Sequence, residues 1–239
     1  MAAPRFILAS IPAEGQVAWL DREEARHALG SRRLGPGDPV DLVDGHGTVA
    51  EARLEAERDR DGNLAVRVGQ VRHVSRPMPA LHVASAVPKG DRLGSLLDAV
   101  GELAVESLTP LDCRHSVTPA DRVGGERSRR ILAEAMKQSR GAWLTRIEPP
   151  ATPQACATAS VAAGHRVLLL DPRGRPLADQ ATGAASMVLL AGPEGGFGES
   201  ELVALRDAGA LPASLGATVL RVELAVAAAC GAIRAMHPA

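Results

Sequence analysis

The sequence predicts a two-domain α/β protein: a small β-rich module, then a mostly parallel sheet with helices on both faces. Three observations predict it. Residues 1–72 read as short strands broken by the turn clusters Gly35-Pro36-Gly37-Asp38, Asp44-Gly45-His46-Gly47 and Asp59-Arg60-Asp61-Gly62-Asn63, a rhythm that suits a small β-barrel. From Ala80 onward, apolar runs of strand length alternate with stretches of helical spacing, as in a sheet whose parallel strands are joined by helices. Between the two, residues 73–79 (HVSRPMP) carry two prolines and read as an interdomain connector. The expected division is 1–73 and 80–239.

In the first domain, strands are expected at 5–9, 39–43, 49–54 and 64–71, with one short helix at 21–29. In the second, strands fall at 81–87, 105–108, 166–170, 186–191 and 213–216. Leu93, Leu96, Leu97 and Val100 lie at helical spacing, and 126–139 reads as a helix with Ile131, Ala135 and Gln138 on one side. A further helix is read with Ser200 as its cap, Leu202 and Leu205 inward and Gly209 just past its end. The last, alanine-rich helix spans 223–236. Ligands of such sheets sit at the carboxyl ends of strands, here Leu170-Asp171, Ala191-Gly192 and Leu215-Gly216.

Composition narrows the class. The 239 residues are 46% hydrophobic but include only two Phe, two Trp and no Tyr, so the core must be aliphatic. Cys113, Cys156 and Cys230 are odd in number and far apart, which supports neither a disulfide framework nor a zinc site. No metal is expected. With no membrane-length apolar run and no leader pattern at the N-terminus, the expectation is a soluble, cytoplasmic protein. The net charge of −1 argues against indiscriminate nucleic-acid binding, yet residues 111–146 hold eight cations against four anions. Of 27 basic residues only Lys89 and Lys137 are lysine. Arginine suits bidentate phosphate contacts, and a preference for arginine codons explains the same bias.

The chain is organised around LLAGPEGGFGESEL, residues 189–202. An apolar strand ends abruptly in Gly192-Pro193, and Gly195, Gly196 and Gly198 lead into an amphipathic helix. Glycines admit a ligand close to backbone N–H groups, and a helix start adds unpaired donors. The loop is not a dinucleotide fingerprint, since GPEGGFG lacks the GxGxxG order and comes late in the fold. It is not a P-loop, because no Gly-Lys-Ser/Thr follows. Spacing alone defends no Ser-His-Asp trio. The residues by themselves thus give a glycine-loop ligand site near the C-terminus.

GPEGGFGESEL (192–202) followed by SLGATVLRVELA (214–225) resembles the RsmE family. These SPOUT-class methyltransferases methylate N3 of a uridine in small-subunit ribosomal RNA. Further blocks match in order: KGDR (89–92), GEL (101–103), Arg114-His115-Ser116 and EAMKQS (134–139). In the N-terminal part Arg5-Phe6, His27, Arg32, Gly37-Asp38 and Asp44-Gly45 resemble the family's PUA-like RNA-binding barrel.

The resemblance implies a PUA-like β-barrel, then a SPOUT domain whose trefoil knot and S-adenosylmethionine (SAM) site occupy about 165–230. It also implies a homodimer, with small-subunit ribosomal RNA as partner and no membrane. Leu170, Ala191, Gly192, Pro193, Gly195, Leu215, Gly216, Leu220, Arg221 and Ala225 are expected around SAM: the small residues for close approach, the leucines to enclose adenine. The uridine N3 must lose a weakly acidic proton, and a cation near O2 or O4 would stabilise the imide anion as an oxyanion hole does. Arg221 is the first candidate. Glu223 is read either as orienting Arg221 or as touching substrate, and Glu194 as a second proton acceptor. RNA contacts are assigned to Arg5 and Arg32 in the barrel and to Arg114 and Arg140 in the methyltransferase half. With so few aromatics, phosphate and shape recognition should outweigh stacking.

Some positions depart from the family pattern. Thr218 stands where a second arginine is usual, and Val222 and Leu224 where threonines are. Asp98 or a neighbour replaces a lysine, and Arg140 sits one place early. These leave two alternatives open: a SPOUT RNA methyltransferase with another target, or a non-catalytic rRNA-binding protein. The nucleotide position, the general base, and the choice between naked RNA and the assembled subunit stay open as well.

Overall fold

Alternating apolar and charged residues build the first sheet. Its strands are β1 (Arg5–Ile7), β2 (Val17–Leu20), β3 (Pro39–Val43), β4 (Thr48–Arg58) and β5 (Leu64–His73). In this computed structural model, which describes residues 3–237, they run in the order β1-β3-β4-β5-β2. β1 pairs parallel with β3, and the other pairs are antiparallel. Along β4, Ala50, Ala52 and Leu54 are buried while Glu51 and Arg53 are exposed, the period of two that a half-buried strand requires. Phe6, Leu20, Leu42 and Val66 complete the aliphatic core. β2 was not expected; its four residues, with Trp19 turned outward, are too few to show a period.

The helix expected at 21–29 divides in two. Asp21 caps α1 (Arg22–Arg26), accepting from the N–H groups of Glu23 and Glu24, and a wider π-type turn continues over His27–Ser31.

The chain separates into two units, Met1–Arg76 with Met136–Leu144, and Pro77–Ala135 with Thr145–Ala239. Residues 136–144, assigned by linear reading to the second domain, therefore count with the first. Within that first unit Met136 and Ala142 pack on Val43 and Val49, and the Trp143 indole donates to the Val74 carbonyl at 2.9 Å. Lys137 Nζ meets Glu24 Oε1 at 2.7 Å, with both side chains 8% exposed or less. A charge pair so buried is tolerable only because each partner neutralises the other.

The second unit is a six-stranded sheet. Its strands are β6 (Ala80–Ala86), β7 (Ser107–Leu111), β8 (Arg146–Ile147), β9 (Arg166–Pro176), β10 (Ser186–Ala191) and β11 (Leu211–Ser214). They lie in the order β11-β9-β10-β6-β7-β8, with every pair parallel. Its helices are α2 (Arg92–Glu102), α3 (Glu126–Gln138, whose last three residues count with the first unit), α4 (Pro153–Ala162), α5 (Leu177–Ala181), α6 (Glu199–Asp207) and α7 (Val222–Met236).

Alternate strand residues feed opposite faces. Val167, Leu169, Val188 and Leu190 meet Ala157 of α4 and Leu202 and Leu205 of α6. Leu168 and Leu189, equally buried, take the opposite side, where α7 packs on β10 and β6, and α2 on α7. Each buried leucine contributes about 1.5–3 kcal/mol. Arg234 fastens the end of α7 by donating to the carbonyls of Leu103, Ala104, Pro77 and Pro79. No helix among the described residues is long and apolar enough to cross a membrane.

Several expected boundaries shift. α3 buries Ser128, Leu132, Ala135 and Met136, leaving Gln138 exposed and Ile131 half-buried, because the inward stripe lies one position on from the one expected. β9 runs on past Leu170 to Pro176, and α4, capped by Thr152, was not expected: its alanines give no contrast between faces.

Candidate active site

The irregular middle of β9, where its pairing with β11 shifts register, and the loops that leave the carboxyl ends of β10 and β11 wall a cleft of about 630 Å³. Residues 169–173 form one wall, 191–197 with Glu199 and Leu202 the second, and Ala213, Leu215, Gly216 and 218–220 the third; Val222 and Ala225 of α7 complete it.

The glycine loop is shaped by a ring. A Cβ on Gly192 would stand 2.9 Å from Phe197, whose side chain is drawn back onto the core. Gly196 turns the chain at φ +73°, a conformation that penalises any side chain. α6 then starts at once, capped by Gly198 instead of Ser200. Gly198 N–H donates to Glu201 Oε2 at 2.7 Å, and Glu201 Oε1 accepts from the N–H of Arg114 at 2.9 Å. One carboxylate thus ties the glycine loop to the turn after β7. On the same turn, His115 Nδ1 lies 3.2 Å from the Gly196 carbonyl oxygen.

Nine residues expected around the cofactor line this cleft: Leu170, Ala191, Gly192, Pro193, Gly195, Leu215, Gly216, Leu220 and Ala225. They come from four separate elements. Arg221 is not among them; it is exposed at the N-cap of α7. Glu223 is half-buried on the first turn of α7, and its Oε2 has no hydrogen-bond partner among the described residues, so that oxygen does not hold Arg221. Glu194 lines the cleft but faces Arg92 Nη1 at 2.8 Å. That match of charge suits it to fixing the loop and disfavours the role of proton acceptor.

Sequence reading placed Asp171 near the ligand but gave it no role, and overlooked Arg173; both stand on the cleft wall. Asp171 is buried and accepts from Arg173 N–H, Nε and Nη2 at 2.9, 3.0 and 2.9 Å. Chiefly this hydrogen bonding holds its carboxyl below the usual range, against the opposing effect of burial. The Asp-x-Arg spacing directly after the apolar run 167–170 was the available signal.

The four arginines assigned to RNA divide. Arg5 is corrected: its side chain is only 5% exposed, its Nη1 donates to the Gly141 carbonyl at 2.8 Å, and Nη2 reaches Asp41 at 3.5 Å. It ties the first unit together internally. Arg140 also pairs with Asp41, within the first compact unit. Arg32 is exposed, donating to His27 Nε2 at 3.3 Å. Arg114 is exposed, its Cδ passing 3.2 Å from the place of a Gly198 Cβ.

Known proteins resemble the chain in both units. Residues 75–234 match an RNA methyltransferase domain family, and residues 20–62 the PUA domain of RNA methyltransferases; sheet, cleft and match together define an RNA methyltransferase. The ribosomal RNA small subunit methyltransferase E of Mycobacterium bovis is 35% identical, the match covering 98% of this chain and 92% of that protein. Its namesake from Bacillus subtilis is 24% identical over 88% of this chain and 87% of its own. The crystal structure of the Neisseria gonorrhoeae enzyme of that name, bound to S-adenosyl methionine, superposes with a TM-score of 0.86 at 24% identity, covering 98% of each chain; it shares the fold. The chain belongs to the ribosomal RNA small subunit methyltransferase E (RsmE) family.

Proposed function

We propose that this protein transfers the methyl group of SAM to N3 of a uridine in small-subunit ribosomal RNA. The observation that carries the reading is the cleft walled by β9 and by the loops after β10 and β11, in a chain of this family. Its residues fit the cofactor. A volume of about 630 Å³ lies in the roughly 300–1,000 Å³ range of small-molecule sites. Leu170, Leu215 and Leu220 offer apolar walls for a purine, and the glycine loop exposes backbone groups that read its edge without charge.

SAM supplies an electrophilic methyl on a sulfonium. The protein's part is to hold two reactants in line, the larger share of such catalysis, and to stabilise charge as the imide loses its proton. Arg92 fixes Glu194 and the loop behind it. Arg221, exposed beside the cleft, is positioned to reach a substrate from outside the wall. In the same reading, residues 165–230 form a trefoil knot, the first unit closes as a PUA-like barrel, and the enzyme works as a homodimer in the cytoplasm. Arg32, Arg114 and Arg140 meet phosphates; Arg32→Gln should then weaken RNA binding and lower the salt slope by about one.

The test supplies labelled SAM and small ribosomal subunits lacking the modification, followed by nucleoside mass spectrometry. Labelled 3-methyluridine is expected. A 2′-O-methyl product, or RNA binding without transfer at saturating SAM, would overturn the reading.

A further inference from the structure

We propose that His115 is the general base that removes the N3 proton of the target uridine, an inference that rests on the N3 reading above. His115 Nδ1 faces the Gly196 carbonyl oxygen at 3.2 Å. A carbonyl oxygen can only accept, so Nδ1 carries the hydrogen and the neutral ring presents Nε2 as a bare lone pair. The imidazole is exposed and abuts the cofactor loop: its Cβ lies 3.4 Å from the place of a Gly195 Cβ. His115 is not itself a wall of the cleft, but Gly195 and Gly196 are, and a pyrimidine lying over them comes within its reach.

The carboxylates around the cleft are engaged or mismatched. Asp171 is held by Arg173, Glu194 by Arg92, and Glu201 by two backbone N–H groups. Glu199 and Glu223 remain, but a carboxylate is a far weaker base than the imide anion it would generate, whereas imidazole lies closer to that match near neutral pH. In the step, the N3–H proton passes to Nε2 and the N3 electron pair forms the bond to the methyl carbon. The carbon–sulfur bond breaks with its pair going to sulfur, and the imidazolium later returns its proton to water. The positive charge lost by sulfur reappears on the imidazolium.

The test compares wild type with His115→Asn. Calorimetry with SAM should give equal affinity within about threefold, and nitrogen NMR of the free wild-type protein should find Nδ1 protonated and Nε2 bare. Single-turnover transfer to unmodified small subunits should fall on the order of 10²-fold at neutral pH. The loss should shrink as pH rises, and added imidazole should restore rate in His115→Gly. A variant with the wild-type rate and pH profile, or a proton found on Nε2, would overturn the proposal, since a merely loop-holding His115 predicts neither the pH recovery nor the rescue. Absence of 3-methyluridine from the wild-type product would overturn the proposed reaction itself, and the base with it.

Discussion

The two ends of the second sheet are built on opposite plans. At the amino ends polar side chains satisfy one another: His82 Nδ1 meets Ser107 Oγ at 2.8 Å, His165 Nδ1 meets Ser186 Oγ at 2.6 Å, and the two rings stand 4.9 Å apart. At the carboxyl ends the chain turns on glycines instead, and side chains retreat to brace the loops from outside: Phe197 beneath Gly192, Glu201 behind Gly198, Arg92 on Glu194. One end closes on itself through side chains; the other leaves a cleft walled in part by glycines. The difference teaches that a ligand site can consist mainly of main chain, with its specificity residing in what holds that main chain still.

This contrast can be broken at its strongest point first. Gly192→Val drives a branched side chain into Phe197 and should reduce SAM affinity more than about 100-fold, or ~2.7 kcal/mol, by calorimetry, while far-ultraviolet circular dichroism stays that of the wild type. Unchanged affinity would mean that the loop is not the cofactor site. Next, Glu201→Ala frees both Gly198 and Arg114. With hydrogen bonds to a charged group each contributing about 1.5–3 kcal/mol, SAM binding should weaken roughly tenfold, and an unchanged dissociation constant would show that the glycine loop needs no brace.

The amino end should respond in stability and leave SAM affinity alone. Burial, first of all, lowers the His82 pKa, and His165 and Arg146 lower it further against the opposing pull of Glu106 and Glu148. The folded state therefore takes up the proton less readily than the unfolded chain. Its contribution is full above the unfolded value of about 6.5 and is lost as pH falls from there toward the depressed folded value. Thermal unfolding should show a lower Tm in mild acid, and His82→Asn, the smallest effect, should flatten that dependence with SAM affinity at neutral pH unchanged. A variant with the wild-type acid slope would place the sensitivity elsewhere.

The sequence by itself carried what short-range patterns carry. The run SMVLLA, stopped by Gly192-Pro193, marked a strand and its loop because both signals lie within a dozen residues. The blocks at 192–202 and 214–225 were enough to point to two of the three walls of the cleft. Turn clusters likewise delimited β3, β4 and β5. Signals that were short or uniform failed: four residues of β2 show no period, and the alanines of α4 show no face.

Tertiary structure alone decided which charges are free. Arg5 looked like a surface cation until Asp41 and Gly141, far away in the chain, were brought to it. Glu194 looked like a base until Arg92 arrived from the first turn of α2. Lys137 and Glu24 gave no hint of one another, yet they form a buried pair. Local pattern fixes where backbone turns, because turning is a property of a few consecutive residues. Whether a charge is spent on the fold or left for a ligand depends on partners a hundred residues apart, and only folding supplies them.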